Sequence, residues 1–189
     1  MFSTVYHSSF PLYNRFLPVY NIENQSKGKT IMFRKLARIK QQLSHEESIR
    51  ILKEQPRGVL SLIGDEGYPY GLPIDHWYND DDGCLYFHSG PVGHKIDAIR
   101  RCDKASFCVM DQGWKEVGDW ALNIKSVIVF GRIEILNDHA QAIEMTRRLS
   151  YKYTQDTAYI ESEIEKFGKN VLCFKLIPEH ITGKTTKES

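Results

Sequence analysis

Apolar and polar positions change their spacing repeatedly along this chain, and each change marks an element. Ser44 stands three residues before Glu47 in "SHEE", the spacing of a capping box, and Ile49, Ile51 and Leu52 follow as an amphipathic turn. Pro56 disfavours helix at the residue before it, so this helix is predicted to end near Glu54. "GVLSLI", Gly58 to Ile63, is short and largely apolar and predicts a strand, and "GDEG" predicts a turn. "YPYGLPIDHWY" reads as a second extended segment, which Pro69 and Pro73 confine to a sheet edge or a bulge. "NDDDG" is a hairpin turn signal, and "CLYFH" is the returning strand.

Further on, Ile96 and Ile99 give "KIDAIRRC" one apolar helical face, and "ASFCVMD" predicts a strand. A polar loop, "QGWKEVGDWALN", leads to "IKSVIVFGRIEIL", Ile124 to Leu136, the longest strand pattern, in which Gly131 predicts a bulge or bend. Two helices are predicted, over about Asp138 to Tyr153 and over Thr157 to Phe167, followed by a last strand, "NVLCFKLI", and a tail, "PEHITGKTTKES". Six strand patterns, several joined by hairpins, with helices mostly segregated, predict an α+β fold on a mainly antiparallel sheet. Closure into a small barrel removes the exposed edges of so many strands. A doubly wound nucleotide-binding sheet is excluded, because strand and helix do not alternate and no G-x-G-x-x-G follows a strand.

Residues 1–31 fit neither period. They scatter Phe and Tyr among Ser, Asn and Pro, lack the charged and apolar regions of a signal peptide, and end in a linker-like "NQSKGKT". They are expected to form a loosely ordered extension, from an upstream start codon or as an arm over a partner subunit, with one domain over 32–189. The formal net charge of +1 provides no field for nucleic acid or an anionic membrane, and no apolar run is long enough to span one. Cys84, Cys102, Cys108 and Cys173 contain no C-x-x-C pair and read as reduced structural thiols of a cytoplasmic protein.

Most chemistries find no support in the residues. His76, His88, His94, His139 and His180 are scattered without metal-ligand spacing, and no G-x-S-x-G elbow is present. Asp80, Asp81 and Asp82 read as a turn, and Glu161, Glu163 and Glu165 as a solvated helix face. "LYFHSGPVGHKIDAIRR", Leu85 to Arg101, is different. It runs strand, glycine loop, helix, and a phosphate needs free N–H groups, small residues and a cation. Gly90 and Gly93 allow close approach, Ser89 offers a hydroxyl, and Lys95 places a cation at the end of the dipole that ordinarily attracts anions. The plain alternative is a solvated loop with a surface lysine.

Taken in order, "GVLSLIGDEGYPYGLPIDHWYN", "GCLYFHSGPVGHKIDAIRR", "WALNIKSVIVFGRIEIL" and the closing "LIPEHITGK" resemble the pyridoxamine 5′-phosphate oxidase-like flavoproteins, and within them the nitroimidazole-resistance (Nim-type) branch. The resemblance covers about Met32 to Lys184. It implies a split β-barrel with peripheral helices, a homodimer, and FMN at the dimer interface. It implies that His88, Ser89, His94 and Lys95 hold the FMN phosphate, with Arg57 a second cation, although the oxidases usually carry arginine where His94 stands. It places Val59, Leu60 and Ser61 on a cofactor-contacting strand, and Ser126 where the oxidases have a flavin-contacting glutamine. The implied reaction passes electrons from a reduced donor such as NAD(P)H to a small acceptor such as a nitroimidazole. His76 is expected beside the flavin, as a proton donor or as a structural residue. Trp77, Trp114 and Trp120 are candidates for pocket walls or for packing. The alternative of another class is a non-catalytic module binding flavin or haem, with His76 or His180 as the axial ligand.

Overall fold

Side chains of alternate strand positions turn to opposite faces, and in this chain one set closes around a common interior. The computed structural model describes residues 33–187. From Lys35 onward they build one unit. Its strands are β1 (Arg57–Ile63), β2 (Pro69–Asp75), β3 (Trp77–Tyr78), β4 (Leu85–Ser89), β5 (Lys104–Met110), β6 (Ile124–Ile135) and β7 (Leu172–Thr186). Its helices are α1 (His45–Glu54), α2 (His94–Arg101), α3 (His139–Ser150) and α4 (Thr157–Phe167). The expectations about residues 1–31 lie outside the described residues.

All pairings are antiparallel, in one sheet of order β2-β1-β5-β6-β7-β4-β3. Leu60, Leu62, Phe87, Phe107, Val127, Val129 and Phe174 fill the interior, where Phe87 stacks on Phe174 at 5.2 Å and meets Phe107 edge-on at 5.2 Å. The Ser44 hydroxyl accepts from the Glu47 N–H at the start of α1, as the capping box predicts, and α1 adds Ile51 and Leu52 to this core. Helix α2 brings Ile96, Ala98 and Ile99. Helix α3 lies outside the sheet, its Ala142 packed with Tyr86 and Cys173. Burying these large side chains at about 25 cal/mol per Å² of apolar surface is the main force closing the sheet.

Two predicted features are reproduced residue by residue. The proline-bearing segment is the sheet edge β2, and the ladder between β6 and β7 slips between Phe130 and Gly131. The C-terminal tail is a correction. The last strand does not stop at Ile177 but runs to Thr186, because Pro178 lies at the slip opposite Gly131 and pairing resumes with Phe130 opposite His180. A bulge accommodates the proline without a ladder N–H.

β2 and β3 are neighbours in sequence yet occupy opposite ends of the sheet. His76 alone joins them. Its backbone lies in no strand, and the Tyr153 hydroxyl satisfies it, accepting from the His76 N–H at 3.0 Å with the carbonyls of Pro56 and His76 also in reach. The curled sheet brings β2 against β4 without a ladder between them. Among the described residues all four cysteines are free, and burial pushes the Cys84 thiol up to about 11 and that of Cys173 up to about 12. No described helix is long and apolar enough to cross a membrane.

Candidate functional site

Two of the predicted residues, Arg57 and His88, meet at the junction of β2 and β4. Arg57, Pro73, Ile74, Asp75 and His88 surround a pocket of about 340 Å³. Arg57 and Asp75 are cross-strand partners at the end of the β1–β2 ladder, and their side chains meet at 2.6 Å. Arg57, expected as a second phosphate cation, thus already faces one carboxylate. The His88 imidazole is held below its usual value, chiefly because protein surrounds it and further because Lys95 lies near.

Beyond His88 the chain crosses Ser89, Gly90 and Pro91 to enter α2. Gly93 caps the helix backbone at φ 116°, a left-handed value that strains any residue with a Cβ. No side chain caps the helix; the Ile96 and Asp97 N–H groups turn back to the Gly93 carbonyl, which leaves those of His94 and Lys95 without a partner among the described residues. A Cβ built on Gly90 or Gly93 meets nothing within 4 Å. Lys95 is half-buried, forms no ion pair among the described residues, and has its pKa pushed down by burial. Open space over two glycines, an uncapped helix start and an unbalanced half-buried cation are what a phosphate group requires, so the loop fits the phosphate end of a flavin nucleotide.

His94 does not join them. Its ring stacks on Tyr70 at 4.1 Å and its Nε2 lies 3.5 Å from Asp65, which also binds Arg101 at 2.5 Å. In this position it braces α2 against the β1–β2 turn. Val59, Ser61 and Ser126 lie on the outward face of the sheet, whereas the Leu60 side chain is wholly in the core and offers a ligand no side-chain contact.

His76 is enclosed by the core. It is 0% exposed, edge-on to Phe107 at 4.6 Å, with Nε2 2.7 Å from the Leu52 carbonyl. That contact is a hydrogen bond from a neutral ring, whose Nδ1 then has no partner among the described residues. Burial, aided by the Lys152 ammonium, brings its pKa down to about 3. Of the two roles expected for His76, the structure displays the structural one, a neutral core histidine. His180, the other candidate axial ligand, stacks on Phe130.

A pH signature follows. In the unfolded chain a histidine titrates near 6.5, so between that value and about 3 the unfolded state binds the extra proton. The stability that His76 contributes is complete above 6.5 and falls as pH drops toward 3, by up to about 1.4 kcal/mol per unit. Urea midpoints measured from pH 7.5 to 4.5 are expected to decline less in His76→Gln than in the native protein. Equal slopes would remove His76 from the account.

Sequence reasoning passed over the residues of the second cleft. Opening from the same place, it occupies about 560 Å³ between the end of β4, α3 and α4. Ile143, Leu149, Ile160, Ile164, Phe167 and Val171 give it apolar walls, and Asp75, His88, Ser89, Thr146 and Glu163 give it polar ones. Glu163, read from sequence as solvated, lines it, and none of the three tryptophans does. Trp77 packs on Tyr86, Trp114 lies under Lys125, and Trp120 is 77% exposed. Just beyond α3, Lys152 donates to the Gln55 carbonyl at 2.7 Å, and burial lowers its pKa to about 8. The signal for Lys152 and Tyr153 was slight: two polar residues at a helix end, with no motif. Among the described residues no cluster of histidine, cysteine or carboxylate side chains is arranged to hold a metal.

The sequence profile of the family described as pyridoxamine 5′-phosphate oxidase matches residues 44–185, all of the elements just described. The chain belongs to this family. Solved structures share the pyridoxamine 5′-phosphate oxidase-like fold at low identity. A candidate 5-nitroimidazole antibiotic resistance protein from Bacteroides thetaiotaomicron is 22% identical, with a TM-score of 0.66 over 76% of this chain and 86% of that one. The FAD and haem binding protein of Mycobacterium smegmatis is 19% identical, with a TM-score of 0.64 over 78% of this chain and 74% of that one. A FAD-binding protein from Mesorhizobium loti is 24% identical, with a TM-score of 0.55 over 77% of this chain and 97% of that one. No curated protein matches the sequence. The antiparallel α+β split-barrel architecture predicted from sequence is therefore the observed one.

Proposed function

We propose that this protein binds FMN and uses it to pass electrons from a nicotinamide donor to a small acceptor, a nitroimidazole being the substrate that its Nim-type resemblance favours. The observation that carries the reading is Lys95, half-buried without a counter-ion among the described residues, beside the open start of α2. An anion there recovers the cost of burying the ammonium, and a flavin phosphate is the anion that family membership suggests. Bound FMN supplies the two-electron chemistry. The chain's own residues hold and screen: Lys95 and the His94 and Lys95 N–H groups would take the phosphate, and neutral His88 lines the approach from both clefts. With His76 enclosed, the protons that accompany electrons to the nitro oxygens come from solvent. Three two-electron turnovers, each oxidising one NAD(P)H, would carry the nitro group to the amine, with both oxygens leaving as water.

The reading includes a homodimer. The outward face of β1 and β5 exposes Val59 (39%), Ile63 (46%) and Met110 (58%), an apolar surface that a second copy would cover, with Ser61 and Ser126 on the same face.

The purified protein, incubated with FMN and desalted, is expected to retain bands near about 370 and about 450 nm and to oxidise NADH in the presence of 2-methyl-5-nitroimidazole faster than free FMN does. A colourless protein overturns the flavin assignment. A coloured protein that oxidises NADH no faster than free FMN overturns the reductase and leaves a flavin-binding module.

A further inference from the structure

The cleft between β4, α3 and α4 has a one-sided charge lining. Its volume of about 560 Å³ is in the range of small-molecule sites, and its walls are mainly apolar. Two carboxylates, Asp75 and Glu163, line it, and among the described residues no lysine or arginine does.

The nearby cations are occupied elsewhere. On α3, Arg147 binds Glu161 at 2.6 Å and Glu144 at 2.7 Å, and Arg148 binds Glu144 at 3.1 Å and Asp81 at 3.4 Å. Lys152 is turned to the carbonyls of Leu52 and Gln55 at the end of α1. Arg57 is paired with Asp75, and Lys166 lies 3.3 Å from Glu163. His88, the remaining basic group on the wall, is held toward its neutral form.

We infer that this cleft takes a small aromatic molecule that is neutral or positively charged, and that it rejects molecules bearing a phosphate or carboxylate. An anion entering it would find no lysine or arginine on the lining, since Arg57 and Lys166 are already engaged by Asp75 and Glu163, whereas an aromatic ring gains from Ile143, Ile164 and Phe167. That this ligand is the acceptor rests on the proposed reductase activity. The charge rule itself rests on the cleft alone. It separates this chain from the substrate in its family's name, because pyridoxamine 5′-phosphate carries an anion for which the cleft has no partner.

The test uses pyridoxamine and pyridoxamine 5′-phosphate, which differ by that phosphate. Each is titrated into ¹⁵N-labelled protein, with and without FMN, and affinity is read from the amide shifts of Thr146, Ile164 and Gly168 at the cleft. Pyridoxamine is expected to bind roughly tenfold or more tightly than its phosphate ester, with the preference reversed in Glu163→Lys. Shifts confined to Gly93 and Lys95 identify phosphate binding at α2 rather than in the cleft. Equal affinities at the cleft, tighter binding of the ester there, or binding of neither at millimolar concentration overturns the inference. If the protein fails to retain FMN but still discriminates, the reductase falls and the charge rule stands.

Discussion

Lys95→Ala is expected to bind FMN about 10–100-fold more weakly than the native protein, the loss that follows removal of one charge-assisted hydrogen bond to a phosphate. Flavin fluorescence quenching on titration measures it, and desalting should strip the colour from the variant alone. The structure attaches a second condition. Burial disfavours the Lys95 ammonium and no acidic group among the described residues compensates, so the FMN-free variant should melt no lower than native. Lys95→Arg keeps the charge and should keep most of the affinity. Undiminished binding by Lys95→Ala places the phosphate elsewhere, and weakened binding with a lowered melting point makes Lys95 structural.

The second large effect concerns the fold. Gly131→Ala puts a methyl group 2.1 Å from the Ile177 carbonyl oxygen and 3.1 Å from the Pro178 Cα. Both are backbone atoms of the neighbouring strand, so no rotamer relieves the overlap and the bulge itself has to move. A loss of about 3 kcal/mol is expected, near the upper end for overpacking, which corresponds to roughly 6–12 °C in melting temperature for a chain of this size. Thermal unfolding followed by circular dichroism measures it. A change below about 2 °C would mean that the slip between β6 and β7 is soft.

What the sequence made legible was what short stretches decide. The cap at Ser44, the edge position of a strand carrying Pro69 and Pro73, and the bulge at Gly131 each follow from one residue's geometry and its near neighbours. The loop from His88 to Lys95 was legible for the same reason, since its glycines and lysine are contiguous. The end of β7 was not, because Pro178 is an acceptable strand residue only opposite a slip that lies 47 positions earlier. Nor was the state of His76. Its enclosure depends on α1 on one side and on Tyr153, 77 residues away, on the other, and burial by distant elements leaves no local pattern. Glu163 shows the limit most plainly. Its spacing fits a solvated face, and only the docking of α4 beside β4 turns it to the cleft.

The His76 junction has a mechanical consequence. In most barrels, parting two adjacent strands means breaking a row of backbone hydrogen bonds. Here the gap between β2 and β4 has no such row, and the single residue joining the two ends of the sheet is held by the hydroxyl of Tyr153. The barrel resembles a split ring with a small latch. Parting β2 from β4 there would break no ladder hydrogen bond.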